Sequence, residues 1–301
     1  MFAHAETTSC SESVVLDSEK QFAFARDYFK AAEYEKTIIE FERFIHFFPA
    51  DPKVDSALHL MGQAHFQLEQ YPEAIDAFGR HIRRNTSETG IAVSPEIAAS
   101  AWFASQSYEE LGQTERSLAI LHRLLAETDD PAIEDETRYR IGWVHIERHE
   151  WEKARNAFKV MSDAGWKRYD VQDTLSKLDK ADDIPQKAPG LAGTLSVIPG
   201  AGYLYVGRYR DAATALLLNA ALIGATWEAF DNGNEILGGL LGVVEAGFYL
   251  GNVYGSVSSA HKYNRDQVRR FIGGLAEGAL TGGLGAFVEK ERIGLVLRVR
   301  Y

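Results

Sequence analysis

His145 and His149 stand four residues apart in "HIERH", a spacing that would set two imidazoles on one helical face, where they could share a metal ion. Zinc-assisted hydrolysis also needs a glutamate directly after the first histidine as general base, and Ile146 stands there instead. Cys10 is the only cysteine, which excludes an internal disulfide framework and a multi-cysteine metal site. The glycine-rich "GAGYLYVG" (Gly200–Gly207) has its third glycine out of place for a dinucleotide loop, and no strand precedes it. No G-x-S-x-G, phosphate loop or paired-carboxylate arrangement appears. The sequence supports neither an enzyme, a metal nor a cofactor. The formal charge of −11 also argues against nucleic-acid binding, which depends on lysine and arginine neutralising phosphates.

The elements around these residues carry more information. From about Ser18 to Asp183 apolar residues recur at helical spacing, and the segment repeats. "FARDYFKAAEYEKTIIEF", "MGQAHFQLEQYPEAIDAF", "ASQSYEELGQTERSLAIL" and "IGWVHIERHEWEKARNAF" begin at Phe24, Met61, Ala104 and Ile141, which lie 37, 43 and 37 residues apart. The long step holds the loop "NTSETGIAVSP". Helix-turn-helix units of this size stack into solenoids, each burying its apolar face against its neighbours.

The units resemble the tetratricopeptide repeat. Its small residue in the first helix matches Ala25, Gly62, Ser105 and Gly142, where the two helices of a unit approach closely. Its following aromatic matches Tyr28 and Tyr108 and is replaced by His65 and His145. Ala74 with Phe78 and Ala154 with Phe158 match its second-helix pair; Thr37 with Phe41 and Ser117 with Leu121 are weaker versions, and Pro49 matches the closing proline of the first unit. The resemblance implies an all-α solenoid whose first helices line a groove for a protein or peptide. Carried over by alignment, that groove presents Phe22, Arg26, Phe29, Lys30, His59, Gln63, Phe66, Trp102, Gln106, Glu109, Tyr139 and Trp143. "DVQDTLSKLDKADD" is expected to cap the solenoid (18–183), and 184–190 is the linker.

Composition changes at Ala188. No residue from there to Gly207 is charged, nor any from Ala212 to Trp227, and from Glu235 to Ala260 only Glu235 and Glu245 are. About 20 apolar helical residues cross a bilayer, so a membrane domain (191–263) with helices at about 211–230 and 235–260 is expected, joined as a hairpin by "DNGN". Gly238, Gly242, Gly247, Gly251, Gly255 and Ser259 form a small-residue stripe for close helix packing, within the hairpin or against a second copy. "IPGAGYLYVGRYRDA" resembles the Pro-Gly-x-Gly-x-x-Tyr-x-Gly start of small prokaryotic two-helix membrane domains, at Pro199, Gly200, Gly202, Tyr205 and Gly207.

Asn219, Glu228, Glu245 and Asn252 are the polar groups in or near these spans, where such groups are costly and often functional. One carboxyl without charged partners favours structural pairing, of Glu245 with Asn219 across the hairpin, over an ion pathway. The expected function is therefore a membrane-anchored interaction scaffold, with a channel-like or transporter-like subunit bearing a regulatory solenoid as the alternative.

Arg208, Arg210, His261, Lys262, Arg265, Arg269 and Arg270 flank the hairpin, whereas Asp231 and Glu235 mark its turn; basic flanks favour the cytoplasmic side of a bacterial-type inner membrane. If Leu191–Gly207 crosses, the repeats lie outside the cytoplasm, which is the preferred reading; if it re-enters, which Pro199-Gly200 permits, they stay inside. Ala3-His4-Ala5 has the small residues a signal peptidase reads, without the basic start and apolar run that should precede them. It stands as a signal-peptide remnant in a disordered 1–17 segment or as chance. The tail (264–301) ends in "ERIGLVLRVRY", which reads as a short strand.

Overall fold

The structure, a computed structural model, describes residues 17–85 and 93–279. The signal-like N-terminus and the strand-like C-terminus lie outside the described residues. The described chain is α-helical and divides into two compact units at Trp166/Lys167.

The first unit holds four antiparallel helix pairs: α1 (Ser18–Lys30) with α2 (Tyr34–Phe47), α3 (Val54–Gln67) with α4 (Tyr71–Asn85), α5 (Pro95–Glu110) with α6 (Thr114–Glu127), and α7 (Pro131–Glu147) with α8 (Trp151–Lys159). Each helix packs on the next in sequence, and the first helices also touch along a row, α1 on α3, α3 on α5 and α5 on α7. That neighbour-only pattern is the tetratricopeptide-like solenoid. Side chains start several helices: Asp17 accepts from Glu19 N and Lys20 N, Ser94 from Ile97 N ahead of Pro95, and Asp130 from Ala132 N ahead of Pro131.

The small-residue positions behave as their spacing predicts. A Cβ on Gly62 would stand 2.6 Å from the Phe78 ring, and one on Gly142 would stand 2.3 Å from the Phe158 ring. Both rings are fully buried. In the third pair the same contact is polar, with the Ser105 and Ser117 hydroxyls 2.8 Å apart. In the first, Ala25 and Phe41 are buried in one core cluster.

The turns inside the pairs repeat as closely as the helices do. Ala32, Glu69, Gly112 and His149 all take left-handed backbone, with φ of 58°, 59°, 70° and 60°. In each, the amide of the next residue bonds the carbonyl five positions back: Glu33 to Tyr28, Gln70 to His65, Gln113 to Tyr108 and Glu150 to His145. These bonds close the helix C-terminus and reverse the chain.

The second unit contains α10 (Val171–Leu178), which follows the short α9 (Asp163–Arg168), then α11 (Pro189–Leu195), α12 (Ala201–Val206), α13 (Tyr209–Asp231) and α14 (Glu235–Ala279). The proposed capping segment, α10, belongs to this unit and packs on α14. α13 and α14 form an antiparallel hairpin closed at Gly233, φ +75°, and Asn234 Oδ1 accepts from Leu237 N at the start of α14. α14 has 45 residues, about 67 Å of helix, so it runs well past the end of α13. α13 and α14 are both long and apolar enough to cross a membrane, and little of either is buried in the protein.

Candidate functional site: the helix row and the apolar hairpin

The first helices present the residues carried over as a groove, but not all of them at a surface. Phe22 packs against Phe41 and Phe44 at ring distances of 5.6 and 5.4 Å. Tyr139 meets Trp143 and Phe158, and both Tyr139 and Trp143 are buried. His59 and Gln63 are interior as well. These five hold helices together. Alignment fixes a residue's place along the helix; burial depends on how far each helix is rotated, which aligned positions do not give. Arg26 and Lys30 are exposed, and Phe29, Phe66, Trp102, Gln106 and Glu109 are partly exposed. Trp102 is held in place: its indole N–H donates to Thr137 Oγ1 at 3.0 Å, and the Arg140 guanidinium lies 5.1 Å over its ring.

His59 and Gln63 belong to a buried polar chain that alignment did not reveal. Gln63 Nε2 lies 2.9 Å from His59 Nε2, and Ser100 Oγ lies 2.7 Å from both His59 Nδ1 and His81 Nδ1. If Gln63 donates, His59 carries its proton on Nδ1 and donates to Ser100, whose hydroxyl donates on to His81. The chain joins α3, α4 and α5 across two repeats. A second proton on His59 would face the Gln63 donor unless that amide turned over. Burial, reinforced by nearby His81, holds the His59 pKa down to about 4. Burial also lowers His81, against the pull of Glu96 and Asp55, with Arg84 adding to the lowering.

Glu109 is pushed the opposite way, up to about 7, by burial first and by Glu147 and Glu110 next, against a hydrogen bond from Ser117 and the charge of Arg148. The two groups have opposite pH dependences. Unfolded His59 takes up a proton near its ordinary value of about 6.5, so the stability its junction supplies is complete above that pH and drains away towards 4. Folded Glu109 takes up a proton near 7 while the unfolded group waits until about 4.3, so its environment is favourable at low pH and loses that advantage between 4.3 and 7. The expected result at pH 5 against pH 7, after correction for intrinsic exchange rates, is faster amide exchange in residues 57–63 and 97–101 and slower exchange around 105–110. Hydrogen exchange by mass spectrometry checks it.

"HIERH" divides between two elements. α7 ends at Glu147, His145 Nδ1 lies 2.7 Å from Glu150 Oε2, and His149 sits in the left-handed turn, stacked on Trp151 at 5.5 Å. Among the described residues no group of three or more His, Cys, Asp or Glu is placed to hold a metal.

In the second unit the glycine motif builds a tight fold-back. Gly200, φ +86°, turns the chain so closely past α13 that a Cβ would lie 2.3 Å from the Ala212 carbonyl oxygen. A Cβ on Gly202 would lie 2.3 Å from the Ala192 carbonyl oxygen and 2.7 Å from Ser256 Cβ. Asn252 closes the turn: its Oδ1 accepts from Gly200 N at 3.0 Å and its Nδ2 donates to the Ser196 carbonyl at 3.0 Å. The Tyr249 hydroxyl donates to the Val197 carbonyl at 2.9 Å, and the Ser196 and Ser256 hydroxyls bond each other.

The small-residue stripe is not packed along its whole length. Gly238 faces the Phe230 ring, Gly242 faces Thr226, and Gly255 faces the Tyr203 hydroxyl; Ser259 Oγ accepts from Arg208. Gly247 and Gly251 have open space above them and floor a groove of about 430 Å³ between α13 and α14.

Asn219 does not reach Glu245; its Nδ2 donates to Ala215 O of its own helix at 2.6 Å. The pairing of Gly238 with Phe230 and Gly242 with Thr226 sets Asn219 about one turn past Glu245, which is why that expected pair does not form. Both Glu245 carboxylate oxygens are enclosed without a hydrogen-bond partner among the described residues. Glu228 is exposed.

No family model and no curated protein matches the chain. Among solved structures it is similar to a tetratricopeptide repeat protein from Parabacteroides merdae, at 15% identity and a TM-score of 0.45, covering 86% of this chain and 98% of that one. It is also similar to a putative kinesin light chain from Podospora anserina with nearly identical TPR-like repeats (14%, 0.39, 70% and 95%). A third is a TPR repeats protein from Bacteroides fragilis (14%, 0.34, 88% and 100%). Likeness at this level carries no argument about function.

Proposed function

We propose that this chain is a membrane-anchored protein-interaction scaffold, its solenoid taking a protein or peptide partner while α13 and α14 hold it in the inner membrane of a bacterial-type envelope. The observation that carries the reading is where the hairpin's apolar side chains point. Leu217, Trp227, Ile236 and Val243 are 71%, 76%, 89% and 73% exposed, and Leu216, Leu240, Leu250 and Tyr254 join them. In water such a surface would far exceed the patches soluble monomers expose. In hydrocarbon it is the expected exterior, and α13, 23 residues or about 34 Å, spans the roughly 30 Å core.

The partner surface is the part of the first-helix row that remains accessible: Arg26, Phe29, Lys30, Phe66, Trp102, Gln106 and Glu109. It combines aromatic anchors with two cations, an amide and a Glu109 carboxyl that burial holds partly neutral, a composition suited to a peptide. The open stripe at Gly247 and Gly251 is where a second copy or a partner's helix would lie. A photo-crosslinking amino acid at Lys30, Phe66 or Gln106 of the full chain in its native membrane tests the scaffold. The reading expects one discrete adduct shared by these positions and missing from Ile39, on a second helix. Adducts from Ile39 alone, or none, contradict it.

A further inference from the structure

We infer that α11 and α12 form a wedge that enters and leaves the bilayer through a single face, and that the cationic ring at its base seats on the anionic headgroups of that leaflet. The inference rests on the membrane reading above and adds to it a side and a lipid class.

The fold-back defines the path. Lys187 N donates to Asn264 Oδ1 at 2.7 Å, and Asn264 Nδ2 returns a bond to Lys187 O at 2.9 Å. The chain then descends along α14 to Ser196 and Val197, held by Asn252 and Tyr249, and climbs back to Arg208, whose Nη1 meets Ser259 Oγ at 2.8 Å. Both ends of the segment therefore stand at one end of the hairpin. Asn252 and Tyr249 lie about 10–15 Å of helix axis from Ser259 and about 18–23 Å from Asn264, in both cases short of the roughly 30 Å hydrocarbon core. The segment is too shallow to cross, in contrast to the preferred reading of the sequence.

The tip is built for a dry environment. Val197 and Ile198 point outward, each 66% exposed, while the polar backbone beneath them is bonded by protein groups. Ser196 O, Val197 O and Gly200 N all have side-chain partners from α14, and Pro199 has no N–H to satisfy. A turn facing water needs none of these partners. Non-helical backbone at membrane depth needs all of them.

The base has the opposite chemistry. Lys187, Arg208, Arg210, Lys262 and Arg265 gather at this end, against Asp211, which pairs with Arg208 at 2.7 Å, and Asp266. Tyr205 and Tyr263 lie 4.7 and 5.9 Å from Lys187 Nζ, an aromatic and cationic level suited to the headgroup layer. The far end of the hairpin carries Asp231 and Glu235. Each lysine or arginine near an anionic surface adds to the attraction. The basic side is the one retained in the cytoplasm, so the chain before Lys187, with its repeats, starts from that side.

The test uses the full chain with Cys10→Ser and single cysteines at Asp182, Tyr209, Asn232 and Ile198, probed with a membrane-impermeant maleimide on sealed right-side-out and inverted vesicles. The wedge requires positions 182 and 209 to label from one side, 232 from the other, and 198 from neither until detergent is added. Labelling of 182 and 209 from opposite sides overturns the wedge and leaves the membrane anchor standing. Labelling of every position from both sides defeats the anchor itself. For the lipid class, spin-labelled phosphatidylglycerol and phosphatidylcholine are compared around the reconstituted chain. The ring predicts stronger immobilisation of phosphatidylglycerol, lost in Lys262→Gln with Arg265→Gln; equal immobilisation by the unaltered chain overturns the headgroup assignment.

Discussion

Phe158→Ala is expected to destabilise the fourth helical pair by about 3–5 kcal/mol, the cost of removing a large aromatic from a closed core. The ring is fully buried, packs on Tyr139 at 5.8 Å, and fills the space that Gly142 leaves by having no side chain. Gly142→Ala should itself cost about 1–3 kcal/mol, because its new methyl meets a ring that has nowhere to go. The pair is informative in combination. Once Phe158 is alanine, the methyl at 142 has room and adds helix propensity, so the double variant should lose clearly less than the two single losses together. Native-state hydrogen exchange over residues 131–159 of the full chain measures all three. Additive losses would show that the glycine and the ring do not share one contact.

Asn252→Leu should release the fold-back of α11 and α12. The substitution leaves Gly200 N and Ser196 O unbonded, at about 1–3 kcal/mol for each buried group, while keeping the same number and branching of heavy atoms. Protease cleavage between 189 and 206 in detergent-solubilised full chain is the readout: slow for the unaltered protein, and fast for Asn252→Leu with the solenoid left intact. Gly202→Ala should give the same local result by a different route, since its Cβ would strike the Ala192 carbonyl and Ser256. A fold-back that stays protected in both variants would mean that this hydrogen-bonded turn does not hold it.

The contrast between these two sites shows what the chain made readable. The solenoid was legible because close helix approach demands a small residue, and that residue recurs with its aromatic at a fixed distance, as Gly62 with Phe78 and Gly142 with Phe158. Apart from the one at Gly112, the left-handed turns were not legible. Ala32 and Glu69 have no preference for that conformation and His149 only a modest one, and the surrounding helix pair forces it on them. His59 and Gln63 looked like groove residues because their position along the helix was right. The interior chain they join runs on through Ser100 and His81, 41 and 22 residues on from His59, which no local pattern connects to them. The membrane half misled in the other direction. A regular glycine ladder suggested one continuous packing face, yet Gly247 and Gly251 stand open, and the glycines whose Cβ would strike a backbone carbonyl are Gly200 and Gly202. Asn252, singled out for the cost of a polar group in a span, is spent on backbone groups of the turn.

The membrane anchor requires α13 and α14 to be surrounded by lipid, and alkaline extraction of native membranes tests that directly. After treatment at high pH and high-speed centrifugation the full chain should remain in the pellet, moving to the supernatant only when detergent is added. Recovery of the untreated protein as a compact, detergent-free monomer in the supernatant would contradict it.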